Sequence, residues 1–126
     1  MKRIGIFAAG ASLAAFMGLI APAEAHHGWG WYDGAQPFEL TGTIEDFNMG
    51  GPHGQLKLRV NGELWDVVLA PPGRNVRAGL GNDMVKIGME VTARGHRWKD
   101  DQGRLEMKTE RLVIGETTYN LYPERD

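Results

Sequence analysis

From residue 38 onward, apolar and polar residues alternate in short runs that are typical of half-buried β-strands. The first run covers Phe38 to Ile44, the second Leu56 to Val60, and the third Glu63 to Leu69. Asn61-Gly62 separates the second and third runs, and both residues tolerate the positive φ of a type I′ turn. The pattern therefore predicts three strands, of which the last two form a tight hairpin.

The second half of the chain contains a break and then two further strands. Pro71-Pro72-Gly73 ends the third strand, and Arg74 to Leu80 is compatible with a short helix capped by Gly81. Alternation resumes over Glu90 to Arg97 and again over Leu105 to Ile114. The apolar positions of the last run change phase along its length, which predicts a β-bulge within it.

This order of elements is that of a small barrel. Three strands, a short helix and two strands, joined by close turns, are the layout of an OB-fold, a five-stranded Greek-key barrel. We therefore predict an all-β fold over residues 38–126, namely a five- to six-stranded OB-like barrel with one short helix. A six-stranded β-sandwich with other connections is the structural alternative.

The first 25 residues have a different pattern. Two basic residues precede an apolar run from Ile4 to Ile20, and the small residues Ala23 and Ala25 occupy the positions that signal peptidase inspects. We predict a cleaved signal peptide over residues 1–25, and hence a periplasmic or secreted protein without stable membrane insertion. An uncleaved membrane anchor and a cut after Ala23 are the alternatives.

Cleavage at the predicted position would make His26 the first residue of the mature chain. Its α-amine and a ring nitrogen can then chelate one metal ion, which an internal histidine cannot do. Residues 26–37 are rich in glycine and aromatic side chains, and we interpret them as an irregular arm. Trp29, Trp31 and Tyr32 would pin this arm to the barrel, or they would shield a metal or stack on a sugar.

The chain has four histidines, at His26, His27, His53 and His96. In an OB-fold, the loop between strands 1 and 2 and the loop between strands 4 and 5 flank one ligand-binding face. His53 lies in the first of these loops and His96 close to the second, so we expect both to approach the arm. His26 with one more histidine nitrogen would form a histidine brace, which suits Cu(II), and the Met49 thioether would suit Cu(I). The simpler interpretation is that all four histidines are ordinary surface or packing residues.

Composition excludes several classes of function. The 126-residue chain has no cysteine, which rules out disulfides and thiolate chemistry, and its formal net charge of −2 argues against nucleic acid as the partner. Its only serine lies within the predicted signal, and it has no phosphate-binding loop. We therefore expect a protein that binds a metal ion or a small envelope ligand, and enzymatic activity is the less favoured interpretation.

Four short motifs, taken in order, resemble those of one protein family. They are His26-His27, Pro52-His53, the run from Pro71 to Gly79, and Gly88-x-x-Val91. Together they are similar to a family of small exported bacterial proteins with a domain of unknown function, and the resemblance covers nearly the whole mature chain. That family more typically has Asn-Pro-His in the first loop, where this chain has Gly51. The resemblance implies export and a compact β domain, and it implies no activity.

Three functional hypotheses remain. The first is a periplasmic copper-binding protein that acts in copper delivery, sequestration or tolerance. The second is an OB-like module that binds a carbohydrate, peptide or envelope component through Trp29 and Trp31, with no metal. The third is a copper oxidase or oxygenase. One extra residue ahead of His26 would impair the first and third functions and leave the second intact.

Overall fold

Six strands form one continuous sheet in the order β3-β2-β1-β4-β5-β6. The computed structural model describes residues 28–99 and 103–125. The predicted signal peptide, His26 and His27 therefore lie outside the described residues. The strands are β1 (Phe38–Asn48), β2 (Gln55–Val60), β3 (Glu63–Val68), β4 (Glu90–Arg97), β5 (Glu106–Ile114) and β6 (Thr117–Asn120).

An additional pairing between β3 and β5 closes the sheet into a barrel. This pairing is parallel and aligns Val67 with Met107, whereas the other strand pairs are antiparallel. It joins β3 and β5, the two edge strands of the β3-β2-β1-β4-β5 sheet, so the five strands form a closed ring. The sixth strand, β6, pairs with β5 outside this ring. The prediction of an all-β, OB-like barrel is confirmed. The sandwich alternative is wrong, because a sandwich would consist of two separate sheets.

The turn of the β2–β3 hairpin has the conformation that its sequence predicts. Asn61 has φ 49° and Gly62 has φ 84°, as a type I′ turn requires. The register pairs Val60 with Glu63 directly across the turn. The predicted two-residue hairpin is therefore confirmed.

The short helix begins earlier than its sequence pattern indicated. We predicted Arg74 to Leu80 with Gly81 as the cap, and the structure places α1 at Pro72–Arg77. Proline is favoured in the first turn of a helix because its missing N–H has no partner there in any case. Gly79, with φ 95°, adopts the left-handed conformation after the helix, so it takes the role that we assigned to Gly81.

The barrel interior is filled by aliphatic side chains from all five barrel strands. The fully buried ones include Ile44, Leu56, Leu58, Val67, Val91, Met107 and Leu112. Met49 and Trp65 belong to the same core, each with 5% of its surface exposed. Within 28–99 and 103–125, no helix has the length and apolar character needed to cross a bilayer.

The predicted bulge in the last long strand lies at Glu110. Arg94 pairs with Arg111 and Gly95 pairs with Thr109, so Glu110 has no partner across the β4–β5 ladder. The two strands approach closely here, because a Cβ atom at Gly95 would lie 1.9 Å from the Lys108 carbonyl oxygen. The bulge explains how apolar residues before and after it both point into the barrel.

Candidate functional site

The outer face of β5 carries three charged residues that are buried. Glu106, Lys108 and Glu110 have 7%, 3% and 6% of their surface exposed. They alternate with Met107 and Thr109, which are both completely buried. Burying charge is costly unless each group has a partner. The segments that cover this face are therefore central to the site.

The N-terminal arm provides one part of the cover. Residues Trp29–Trp31 form a single 3₁₀ turn, and Tyr32 then makes an isolated antiparallel bridge with Trp98. The Asp33 amide donates to the Arg97 carbonyl oxygen at 2.8 Å. Only 5% of Tyr32 is exposed. The aromatic residues thus pack the arm against the barrel, which is the structural role that we considered for them.

The C-terminal segment provides the other part of the cover. The Leu121 amide donates to the Glu110 carbonyl oxygen at 2.8 Å, which attaches this segment to the bulge. Tyr122 packs edge-to-face on Trp29 with 4.9 Å between ring centroids. The Arg125 guanidinium lies 3.9 Å from the centroid of the same indole. Trp29 is therefore held between the barrel and the C-terminal segment.

Lys108 lies inside an aromatic cage formed by both segments. Its Nζ is 5.2 Å from the ring centroid of Trp29, 6.0 Å from that of Tyr32 and 5.9 Å from that of Tyr122. Burial lowers the pKa of Lys108 to about 8, and the nearby Arg125 guanidinium acts in the same direction. The faces of the aromatic rings offset part of the cost of the buried ammonium.

Glu106 joins the arm to the loop that precedes β5. The Tyr32 hydroxyl donates to Glu106 Oε2 at 2.6 Å, and Arg104 donates to Oε1 at 2.9 Å and 3.2 Å. Burial and the Glu106 carboxylate raise the pKa of Tyr32. The phenol therefore stays protonated and acts as a hydrogen-bond donor.

His96 is buried, and both of its ring nitrogens have hydrogen-bond partners. Nδ1 lies 2.8 Å from the carbonyl oxygen of Asp33, and Nε2 lies 2.7 Å from Glu110 Oε1. Only 4% of the residue is exposed, and the Trp29 ring packs edge-to-face on the imidazole. For His96 to bind a metal as we predicted, one of these two hydrogen bonds would have to break.

His53 has a different environment, because it lines a cavity of about 150 Å³. The residues that line this cavity come from the arm, the β1–β2 loop, the β4–β5 connection and the neighbouring strand ends: Tyr32, Pro52, His53, Gln55, Val68, Trp98, Arg104 and Glu106. The two loops that flank the ligand-binding face of an OB-fold thus meet here. The structure brings His53 together with the arm at this cavity, whereas His96 lies beneath the arm.

The Trp98 ring, which also lines the cavity, is part of an aromatic stack. Trp31 stacks on it with 5.3 Å between centroids and an interplanar angle of 11°. The Arg104 guanidinium lies 3.9 Å from the Trp98 centroid. Trp31 itself is 36% exposed. Of the three aromatic residues proposed for ligand binding, Trp31 therefore has the most surface in contact with solvent.

Potential metal ligands are dispersed over the part of the chain that the structure describes. No group of three or more His, Cys, Asp or Glu side chains lies close enough there to hold a metal ion. The predicted ligands His26 and His27 fall outside these ranges, so their positions relative to His53 stay a prediction. The sequence analysis did not single out Glu106, Lys108 and Glu110 as site residues. Their only signal in the sequence was that they alternate with the apolar positions of β5.

These features define a closed OB-like barrel with an N-terminal arm packed on the outer face of β5. The chain belongs to a family of unknown function, DUF6152, whose family model matches residues 15–106. The resemblance drawn from the sequence motifs is thereby confirmed. No curated protein matches the chain at a significant level.

Solved structures show likeness at the level of the fold. A chain of the S. pombe Stn1-Ten1 complex matches with 12% identity and a TM-score of 0.51, covering 64% of this chain and 59% of that chain. A TiaS mutant in complex with agmatine and a complex of TiaS with tRNA and ATP match with 17% and 16% identity and TM-scores of 0.45 and 0.46. The matches cover 63% of this chain in both cases, and 21% and 18% of those chains. The chain thus spans less than two thirds of each matched structure.

Proposed function

We propose that this protein is a small exported metal-binding protein in which cleavage ahead of His26 creates an amino-terminal copper chelate. Its role would be copper delivery, sequestration or tolerance in the periplasm, without catalysis of its own. The observation that carries the proposal is the packing of residues 29–33 against the barrel. Because the residues that follow the terminus are packed, a chelate there would be held close to the barrel and could recruit a further ligand from it.

The arm gives such a terminus a short tether. Only His27 separates His26 from Gly28, and two residues of extended chain span at most about 7 Å. Trp29, the next residue, packs on His96 and Tyr122. The entropy lost on metal binding is therefore smaller than in a free peptide, because most of the arm is already ordered.

His53 is the preferred third nitrogen ligand in this proposal. It lies in the β1–β2 loop and lines a cavity together with Tyr32, four residues after Gly28 in the chain. His96 is less suitable, because Asp33 and Glu110 already engage its two ring nitrogens. His27 would act as a flanking donor through its ring or its amide. Three nitrogen donors of this kind suit Cu(II).

The test compares two forms of the protein that differ only at the amino terminus. One begins at His26, and the other carries three glycines ahead of it, so that neither histidine occupies one of the first three positions of the chain. We expect Cu(II) to bind the first form at least roughly tenfold more tightly by isothermal titration, a difference of about 1.4 kcal/mol. The first form should also show a nitrogen-rich EPR spectrum. Affinity no better than that of the peptide His-His-Gly-Trp-Gly would contradict the proposal.

The exported protein provides an independent check. Its intact mass gives the first residue of the mature chain directly. A mature chain that begins at Glu24 or at Met1 would remove the chelate and the copper proposal with it. His53→Gln, in the form that begins at His26, should weaken Cu(II) binding while leaving the fold unchanged.

A second candidate function is a metal-free binding module for a carbohydrate, peptide or envelope component. The observation that favours it is the cavity of about 150 Å³ at the junction of the β1–β2 and β4–β5 loops. Amide shift changes around His53 and Trp98 on addition of N,N′-diacetylchitobiose would support this function. Replacement of Trp31 should then abolish binding, whereas the three extra amino-terminal glycines should have no effect.

A further inference from the structure

We propose that His96 and Glu110 form the anchor that positions the N-terminal arm on the barrel, and that they serve the metal site as positioning residues without being ligands. The link to metal affinity rests on the proposed function. The anchoring of the arm does not, and it can be measured in the absence of metal.

Each ring nitrogen of His96 lies within hydrogen-bond distance of an oxygen atom. Nδ1 lies 2.8 Å from the Asp33 carbonyl oxygen, and Nε2 lies 2.7 Å from Glu110 Oε1. A backbone carbonyl oxygen only accepts hydrogen bonds, and so does an ionised carboxylate. Arg125 Nε lies 3.4 Å from the same Glu110 oxygen and places a positive charge beside it. In the proposed anchor the imidazole donates from both nitrogens, one to each oxygen, and forms a buried ion pair with Glu110.

The β5 bulge is what makes this pair possible. Glu110 is the extra residue between the Arg94–Arg111 and Gly95–Thr109 pairs. A bulge changes the direction of a side chain relative to the regular strand, and here the Glu110 carboxylate meets the imidazole of the neighbouring strand. Past the bulge, the regular register of the β4–β5 ladder pairs His96 with Lys108. The carboxylate thus reaches His96 diagonally across the bulge.

The same bulge connects the two ends of the described chain. The carboxylate of Glu110 contacts His96 Nε2, and His96 Nδ1 contacts the Asp33 carbonyl oxygen of the arm. The carbonyl oxygen of Glu110 accepts a hydrogen bond from the amide of Leu121 in the C-terminal segment. Charge-assisted hydrogen bonds of this kind are shorter and stronger than neutral ones. The pair is thus placed to set how firmly the arm, and the chelate that precedes it, is held.

Three variants in the form that begins at His26 test this proposal. In His96→Gln, the neutral side chain has a single NH₂ donor group and leaves one of the two acceptors unpaired. Glu110→Gln keeps the volume of the carboxylate and an acceptor oxygen but removes the charge. His53→Gln is the matched control, because it is the same substitution at a proposed ligand outside the anchor.

The first readout is metal-free amide hydrogen exchange at Asp33, whose N–H bonds Arg97. In His96→Gln we expect this exchange to accelerate roughly tenfold or more, which corresponds to loss of a hydrogen bond to a charged group. Exchange in the β1–β2 ladder should be unchanged. His53→Gln should leave exchange at Asp33 at the wild-type rate. Equal rates in wild type and His96→Gln would overturn the proposal.

The second readout is Cu(II) affinity, which should fall in His96→Gln and in His53→Gln. A His96→Gln protein with loosened arm exchange and unchanged affinity would overturn the positioning role. If the wild-type chain binds no copper while His96→Gln still releases the arm, the anchor stands and the proposed function fails.

A measurement on the wild-type protein covers the case in which His96→Gln does not fold. The ¹⁵N shifts of the His96 ring report directly whether both nitrogens carry a proton. Two protonated nitrogens at pH 7, together with faster arm exchange in Glu110→Gln, support the anchor. A single protonated nitrogen would contradict it.

Discussion

The buried ammonium of Lys108 predicts an unusual rise in stability between pH 7 and pH 9. Its ordinary pKa is 10.5, and burial lowers the folded-state pKa to about 8. Between these two values the unfolded chain still holds a proton that the folded chain has lost. Stability rises with pH wherever the unfolded state binds more protons, so the free energy of unfolding should increase across this interval. Well below pH 8 both states are protonated, and the burial cost stays in full.

The size of the effect follows from these two pKa values. Linkage gives an increase of about 1 kcal/mol in the free energy of unfolding between pH 7 and pH 9. Arg125 and Glu106, the charged neighbours of Lys108, contribute to the folded pKa in opposite directions. The tyrosines that face the ammonium, Tyr32 and Tyr122, have raised pKa values. Their effect has the opposite sign, and it begins only as the pH approaches the ordinary tyrosine pKa of about 10.

The assay is urea denaturation of wild type and Lys108→Met at pH 7 and pH 9, followed by tryptophan fluorescence. Methionine preserves most of the side-chain volume and removes only the titration of this ammonium. Every other group titrates in both proteins, so the difference between them isolates Lys108. We expect wild type to gain about 1 kcal/mol relative to Lys108→Met. An equal change in both proteins would refute the reasoning, because it would mean that the ammonium is well solvated.

Two further predictions concern stability near the same face. Tyr32→Phe removes the hydroxyl that donates to Glu106 Oε2 at 2.6 Å. It should lower the free energy of unfolding, measured by urea denaturation, by about 1.5–3 kcal/mol. An unchanged midpoint would show that this hydrogen bond contributes nothing to stability. Gly95→Ala places a Cβ 1.9 Å from the Lys108 carbonyl oxygen, and it should cost about 3 kcal/mol by forcing β4 and β5 apart. Gly30→Ala is its control, since a Cβ there meets no atom within 4 Å, and a comparable loss in both variants would contradict the steric explanation.

Most of the barrel was predictable because its signals are local. The Asn61-Gly62 pair specifies its own turn, and the alternation of residues specifies which face of each strand is buried. The phase change in the last long strand predicted the bulge now found at Glu110. The strand that was not predicted individually, Thr117–Asn120, is only four residues long. So short a segment contains too few positions to show a period.

The site was less predictable because its contacts are non-local. The sequence places Glu106 and Lys108 on the polar face of a strand, where exposure is the ordinary expectation. They are buried because segments from both ends of the chain cover that face. His96 was a candidate ligand for the same reason, since its partner Asp33 is 63 positions away. Strand periodicity contains no information about such a partner.

The contact between Arg125 and the Trp29 indole has a practical meaning for anyone who purifies this protein. A polyhistidine tag appended after Asp126 would begin shortly after Arg125, whose guanidinium contacts the indole at the start of the domain. It would also add imidazoles that compete with the proposed chelate for copper. Insertion of an affinity peptide at the exposed Asn61-Gly62 hairpin would avoid both effects, because that turn belongs to the β2–β3 side of the barrel.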